Sequence, residues 1–84
     1  MNITITSDTN YFNIVFNDLA ADRKEASILK SEIRSVCLVN DTKGVEVIFK
    51  NGNSFVLDYN KVDSINGDTI TSQTILFTKI KALR

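Results

Sequence analysis

The dipeptide Asn51-Gly52 constrains the fold of this chain more than any other feature, because segments rich in β-branched and aromatic residues flank it. Asn followed by Gly suits the positive φ angles of a type I′ two-residue turn, which joins antiparallel strands. We therefore predict a hairpin in which residues 45–50 form one strand and residues 53–59 form the other.

A two-residue turn also determines which residues face each other across the hairpin. With Lys50 opposite Asn53, Val47 faces Val56 and Ile48 faces Phe55. Both faces are then largely apolar and both need a cover, which internal packing or a homo-oligomer can provide. One face carries Val45, Val47, Phe49 and Val56, and the other carries Ile48, Phe55, Leu57 and Tyr59.

Shorter alternating segments predict further strands over residues 2–6, 11–16 and 33–39. Residues 17–32 permit two interpretations. Asp22 can cap a short helix through residues 23–26, whereas residues 27–30 suit a short edge strand. We favour a loop followed by that strand.

The C-terminal segment predicts the only helix. Thr71 or Ser72 can cap it, and it covers about residues 72–83, with Leu76, Ile80 and Leu83 along one stripe. A chain of 84 residues builds one modest core, so residues 1–84 are expected to form a single domain. The predicted fold class is α+β, a mainly antiparallel β-sheet with a C-terminal α-helix.

Residue types that carry chemistry are scarce in this sequence. It contains no histidine, which is the most common general base near neutral pH and the most common metal ligand. Cys37, the only cysteine, lies in an apolar run and is expected to be a small buried hydrophobe. The acidic stretch 58–68 departs from a calcium loop, since Val62, Asp63 and Thr69 occupy its fifth, sixth and twelfth positions. We predict no enzymatic activity, no catalytic residue, no metal and no cofactor.

The charges argue against electrostatic recruitment of a partner. Ten basic and ten acidic residues cancel and are interspersed, which disfavours binding to nucleic acid or to an anionic membrane. Phe49, Lys50, Phe55 and Tyr59 lie close together on the hairpin, but the predicted register puts the two phenylalanines on opposite faces. No apolar run approaches the roughly 20 residues that span a bilayer, and the N-terminus lacks a signal-peptide pattern. We expect a soluble product made in a cytoplasm.

Residues 45–83 resemble small proteins encoded by tailed phages and prophages of Bacteroidetes-type hosts. The resemblance rests on the hairpin Phe49–Phe55, on the segment Tyr59–Gly67, and on Thr71-Ser72 opening a helix that ends at Lys79–Leu83. Such proteins are virion parts, namely decoration, head-completion or tail-associated subunits. The resemblance implies a virion location, assembly in the host cytoplasm, and other virion proteins as partners.

A structural subunit of this kind would act through its aromatic side chains and exposed strand edges. Residues 2–6 are a candidate edge for the addition of a strand from another chain. The candidate contact residues are Tyr11, Phe12, Phe55, Tyr59 and Phe77. Two alternatives stay open: a small soluble phage or bacterial protein that binds and inhibits a host factor, and a nucleic-acid-binding β domain whose affinity would fall steeply with salt.

Overall fold

A computed structural model describes residues 2–17 and 24–84 and contains eight strands and one α-helix in those ranges. Single 3₁₀ turns at Lys30–Glu32 and Tyr59–Lys61 lead into the strands that begin at Ile33 and Val62. The predicted α+β class, mostly antiparallel sheet with one C-terminal helix, is confirmed. The elements are β1 Asn2–Ser7, β2 Tyr11–Asn17, β3 Lys24–Leu29, β4 Ile33–Leu38, β5 Gly44–Phe49, β6 Ser54–Asp58, β7 Val62–Ile65, β8 Asp68–Thr69 and α1 Gln73–Leu83.

The strands form two sheets whose apolar faces enclose the core. The larger sheet has the order β3-β2-β1-β7-β8 and the smaller has the order β4-β5-β6. Ile5, Phe12 and Ile14 from the larger sheet meet Val47 and Leu57 from the smaller one around a pocket of only about 10 Å³. Such tight packing follows from the strict alternation in β1 and β2, which places every second side chain on the inner face.

The prediction that residues 2–6 form an exposed edge is wrong. β1 is a central strand, paired antiparallel with β2 and parallel with β7. The partner β7 lies some sixty residues away along the chain, and no local sequence pattern predicts a parallel pairing at that separation. Ile5 is accordingly 1% exposed.

The hairpin at Asn51-Gly52 forms, but its turn is one residue longer than predicted. Gly52 N donates to Phe49 O at 3.0 Å and Phe49 N donates to Asn53 O at 2.8 Å. Gly52 has a φ of 90°, whereas Asn51 is not among the described residues with positive φ. These features match the three-residue loop in which a type I turn is followed by a glycine bulge.

The extra residue shifts the predicted register by one position. Val47 faces Phe55 and Glu46 faces Val56, so the predicted pairs Val47–Val56 and Ile48–Phe55 are wrong. A one-residue shift changes which side chains share a face. Val45, Val47, Phe55 and Leu57 now share the inner face, while Glu46, Ile48, Ser54 and Val56 share the outer face. The hairpin therefore has one core face and one mixed face, not two apolar ones.

The helix α1 confirms the predicted cap and stripe. Ser72 has extended backbone angles, and its hydroxyl accepts a hydrogen bond from Ile75 N at 3.1 Å. Leu76 and Ile80 are 0% and 3% exposed, and Leu83 packs against the same core. The helix thus buries the stripe that the 3.6-residue period predicts.

Residues 24–29 form the edge strand β3, three residues earlier than the predicted 27–30. The alternative helix through residues 23–26 is excluded over residues 24–26, which are extended. Asp22 and most of the predicted loop lie outside the described residues.

Residues 62–69 contain two elements that the sequence patterns did not predict, β7 and β8. Asn66 and Gly67 form the turn between them, with φ angles of 51° and 86°. Asn66 also links this turn to β1, because its side chain accepts from Ser7 N and donates to Ser7 Oγ.

Candidate protein-binding groove and strand edge

One side of the two-sheet core is closed by α1. At the start of the helix, Gln73 Nε2 donates to Gly44 O at 2.7 Å and to Val39 O at 3.2 Å. At its end, Arg84 donates to Arg34 O at 3.2 Å. The helix therefore runs alongside β4 in the opposite direction. Lys79 and Asp68 form an ion pair of 2.7 Å that ties the helix to β8.

A groove of about 350 Å³ opens between the edge strands β3 and β6. Every residue that lines it is apolar, so it offers no hydrogen-bonding group other than the strand backbones. An apolar groove of this kind favours apolar side chains of a binding partner. Its lining consists of Ile3, Ile14, Phe16, Ala26, Ile28, Phe55, Val56 and Leu57.

The hydrogen bonds at the two ends of β6 show which of its backbone groups are free to bind another chain. Phe49 N donates to Asn53 O and Tyr59 N donates to Lys43 O, so the odd-numbered residues of β6 bond to β5. In an antiparallel pair the intervening residues direct their N–H and C=O groups to the opposite side. Ser54, Val56 and Asp58 therefore present these groups at the outer edge, which pairs with none of the described strands.

The side chains along β6 are unusual for an uncovered edge. Natural edges carry lysine, proline or bulges that discourage pairing with other chains. The segment Ser54–Asp58 has none of these, and Val56 at its centre is 55% exposed. The remaining edges differ, since β8 has only two residues, β4 lies beside the helix, and Lys30 directly follows β3.

Polar groups in the described ranges are well satisfied. No buried side-chain nitrogen or oxygen there lacks a hydrogen-bond partner. Two exposed turn carboxylates have lowered pKa values. Backbone N–H groups of Asn10 and Tyr11 lower the pKa of Asp8, and those of Lys43 and Gly44 lower the pKa of Asp41. Both carboxylates stabilise turns at strand ends, away from the groove.

The five predicted contact residues lie in different parts of the structure. Phe55 lines the groove, whereas Phe12 is 4% exposed and belongs to the core. Tyr11 is 41% exposed and lies opposite Leu29 on β3. Tyr59 and Phe77 are half-buried and pack against the core, with Lys81 Nζ 5.4 Å from the centre of the Phe77 ring. Among the five, only Phe55 belongs to the groove.

Most of the groove comes from residues that the sequence did not mark as contact residues. The alternation in β2 correctly puts Ile14 and Phe16 on one face, but it cannot distinguish the enclosed part of that face from the open part. Ala26 and Ile28 come from a strand whose position was uncertain. The available signal was the alternation of Ala26 and Ile28 with the polar residues Glu25 and Ser27.

Two expectations about individual side chains need correction. Cys37 is half-buried and pairs with Glu46 on the outer face of the smaller sheet, because its neighbour Val36 pairs with Val47 on the inner face. Phe49 and Phe55 lie on the same face, with ring centres 5.6 Å apart, and both pack against the core.

In the described parts of the chain, no three acidic or cysteine side chains lie close enough together to hold a metal ion. No helix in those parts has the length and apolar character required to traverse a lipid bilayer. Comparison with protein-family models, with curated proteins and with solved structures finds no match to this chain.

Proposed function

We propose that this chain is a non-enzymatic structural subunit of a phage particle that works through contacts with other protein chains. The observation that carries the proposal is the uncovered β6 edge beside an apolar groove.

The edge and the groove offer complementary interactions to an extended segment. Ser54, Val56 and Asp58 supply backbone donors and acceptors in the spacing of a strand, and the groove receives apolar side chains. Strand addition to a sheet edge combines main-chain hydrogen bonds, which give affinity, with side-chain pockets, which give specificity. A protein chain is the partner that satisfies both parts of this surface.

We propose that these contacts form in the phage particle because residues 45–83 resemble phage virion proteins. That segment spans β6, α1 and all but the first residue of β5, and the matching residues include Ser54 and Phe55 at the start of the open edge. A repeated contact along a strand edge suits a decoration, head-completion or tail-associated subunit. In this proposal the chain folds in the host cytoplasm and ends in the virion.

Mass spectrometry of purified particles from the source phage or induced host tests whether the chain is part of the virion. We expect the chain at a stoichiometry well above trace. If the chain is absent from particles and present free in the infected cell, the virion role is wrong. In that case the inhibitor of a host factor becomes the better interpretation of the same edge, and affinity capture of the partner from the infected cell identifies it.

Two variants with matched chemistry test the surface. Val56→Lys places a charge at the centre of the open edge, and Leu38→Lys places the same charge on a residue that is 49% exposed on β4. We expect Val56→Lys to reduce incorporation into particles and Leu38→Lys to leave it unchanged. Equal incorporation of both variants would show that β6 is not the contact.

A further inference from the structure

The pattern of residues along β6 has a twofold symmetry in its polarity. The strand reads Ser54, Phe55, Val56, Leu57, Asp58, with polar residues at both ends and three apolar residues between them. If two such strands pair antiparallel about a twofold axis at Val56, polar residues face polar residues and apolar residues face apolar residues. Val56 faces Val56 of the partner subunit, Phe55 faces the partner's Leu57, and Ser54 faces the partner's Asp58.

The hydrogen-bonding groups agree with this arrangement. Ser54, Val56 and Asp58 present their backbone N–H and C=O groups outward, and these residues meet one another across the axis. Paired residues of this type exchange both backbone hydrogen bonds. Phe55 and the partner's Leu57 form the intervening pairs, in which side chains approach more closely, and they lie on the groove side of the sheet.

Charge also favours this pairing. Asp58 is the only charged residue in β6, and the twofold operation places it opposite a serine and not opposite a second aspartate. The same operation on the other long open edge, β3, gives a poor match, because an axis at Ser27 sets Glu25 against Leu29. β6 is therefore self-complementary about its own central residue.

We propose that a second copy of this chain binds at the β6 edge, forming a symmetric dimer in which the two three-stranded sheets join into one six-stranded sheet. This proposal identifies a second copy of the chain as the partner at the surface described above. It rests on the proposed function, which assigns that surface to protein contacts. A closed twofold contact uses the same patch on both subunits, as this strand requires. The partner strand brings its own Phe55 and Leu57 to the open side of the groove.

Analytical ultracentrifugation of the full chain measures the association. We expect a monomer–dimer equilibrium that Val56→Lys weakens by about tenfold or more, since two lysines then face each other across the axis. Leu38→Lys is the control and should associate like the wild type. Circular dichroism verifies that each variant is folded.

Oxidative cross-linking tests the register without relying on a destabilising change. In a Cys37→Ser background, Val56→Cys places two thiols opposite each other within the Cα separation that a disulfide spans. Ser54→Cys places them about 13 Å apart, because they are offset by four residues. We expect a covalent dimer from Val56→Cys and none from Ser54→Cys.

The outcomes of these experiments separate the two proposals. A monomer at every concentration, or equal cross-linking of both cysteine variants, overturns the dimer. A monomer that is abundant in purified particles leaves the structural role intact, with a different virion protein at the edge. A dimer that particles lack supports the pairing and overturns the virion role.

Discussion

Replacing Gly52 with alanine tests the turn on which the hairpin register depends. Gly52 has a φ of 90°, and an added Cβ at this position meets no atom within 4 Å. Crowding therefore contributes nothing to the effect of the substitution. The free energy required to hold an L-residue with positive φ is about 1–2 kcal/mol. Alanine also restricts the unfolded chain, which offsets about 0.4–1 kcal/mol of that amount.

We therefore expect Gly52→Ala to lower the free energy of unfolding by about 1 kcal/mol. For a domain of this size, such a change lowers the melting temperature by about 4–8 °C. Urea unfolding followed by far-UV circular dichroism measures the free energy directly. Gly52→Asn is the matched control, because asparagine tolerates positive φ better than alanine, and Gly52→Val should be the least stable of the three.

Two results would refute this reasoning. If Gly52→Ala and Gly52→Val are as stable as the wild type, the turn does not require positive φ at this position. The second concerns the register and is read by NMR. Glu46 and Val56 should show a contact between their Hα atoms, because they form a pair without mutual backbone hydrogen bonds. A contact between Val47 and Val56 in its place would restore the shorter type I′ turn.

The remaining predictions concern the core, the helix cap and the turn carboxylates. Leu76 is 0% exposed, so Leu76→Ala should lower the free energy of unfolding in urea by about 2–5 kcal/mol. Ser72→Ala removes the side-chain cap of α1 and should reduce stability by about 1 kcal/mol in the same assay. Asp8 and Asp41 have pKa values below the ordinary value of 3.8 in the folded chain, so their contribution to stability is complete above that pH and is lost as pH falls through the lower folded-state values. The double variant Asp8→Asn and Asp41→Asn should therefore flatten the acid side of the stability profile, measured as the urea midpoint against pH.

Local patterns in the sequence predicted most of the elements correctly. Alternation identified β1, β2, β4, β5 and β6, and the spacing of Leu76, Ile80 and Leu83 identified α1, with Ser72 as one of two candidate caps. These signals are reliable because each arises within a single element and depends only on which side of it is buried.

The errors arose where the structure depends on residues far apart in sequence or on a choice between similar turns. Asn51-Gly52 suits a two-residue turn and equally suits a three-residue loop with glycine at its last position. The parallel pairing of β1 with β7 moved residues 2–6 from a predicted edge to the middle of a sheet. The groove could not be predicted either, because it brings together β1, β2, β3 and β6, and only the tertiary arrangement shows that they meet.

The corrected register changes the argument for an oligomer. The predicted register implied two apolar faces, and that reason disappears when Glu46 and Ser54 take their places on the outer face. The reason to expect an oligomer is now a strand edge with unpaired backbone groups and an exposed valine at its centre.

Val56→Lys consequently reports on the register and on the dimer at the same time. In the observed register, residue 56 lies on the outer face, where a lysine can extend into water, and the variant should fold with nearly the stability of the wild type. In the predicted register, the same lysine would share a face with Val45 and Val47, which are 0% and 2% exposed, and burial of its charge would unfold the chain. A folded monomeric variant supports both the register and the dimer. A folded variant that dimerises like the wild type supports the register alone, and an unfolded variant contradicts the register from which the open edge was derived.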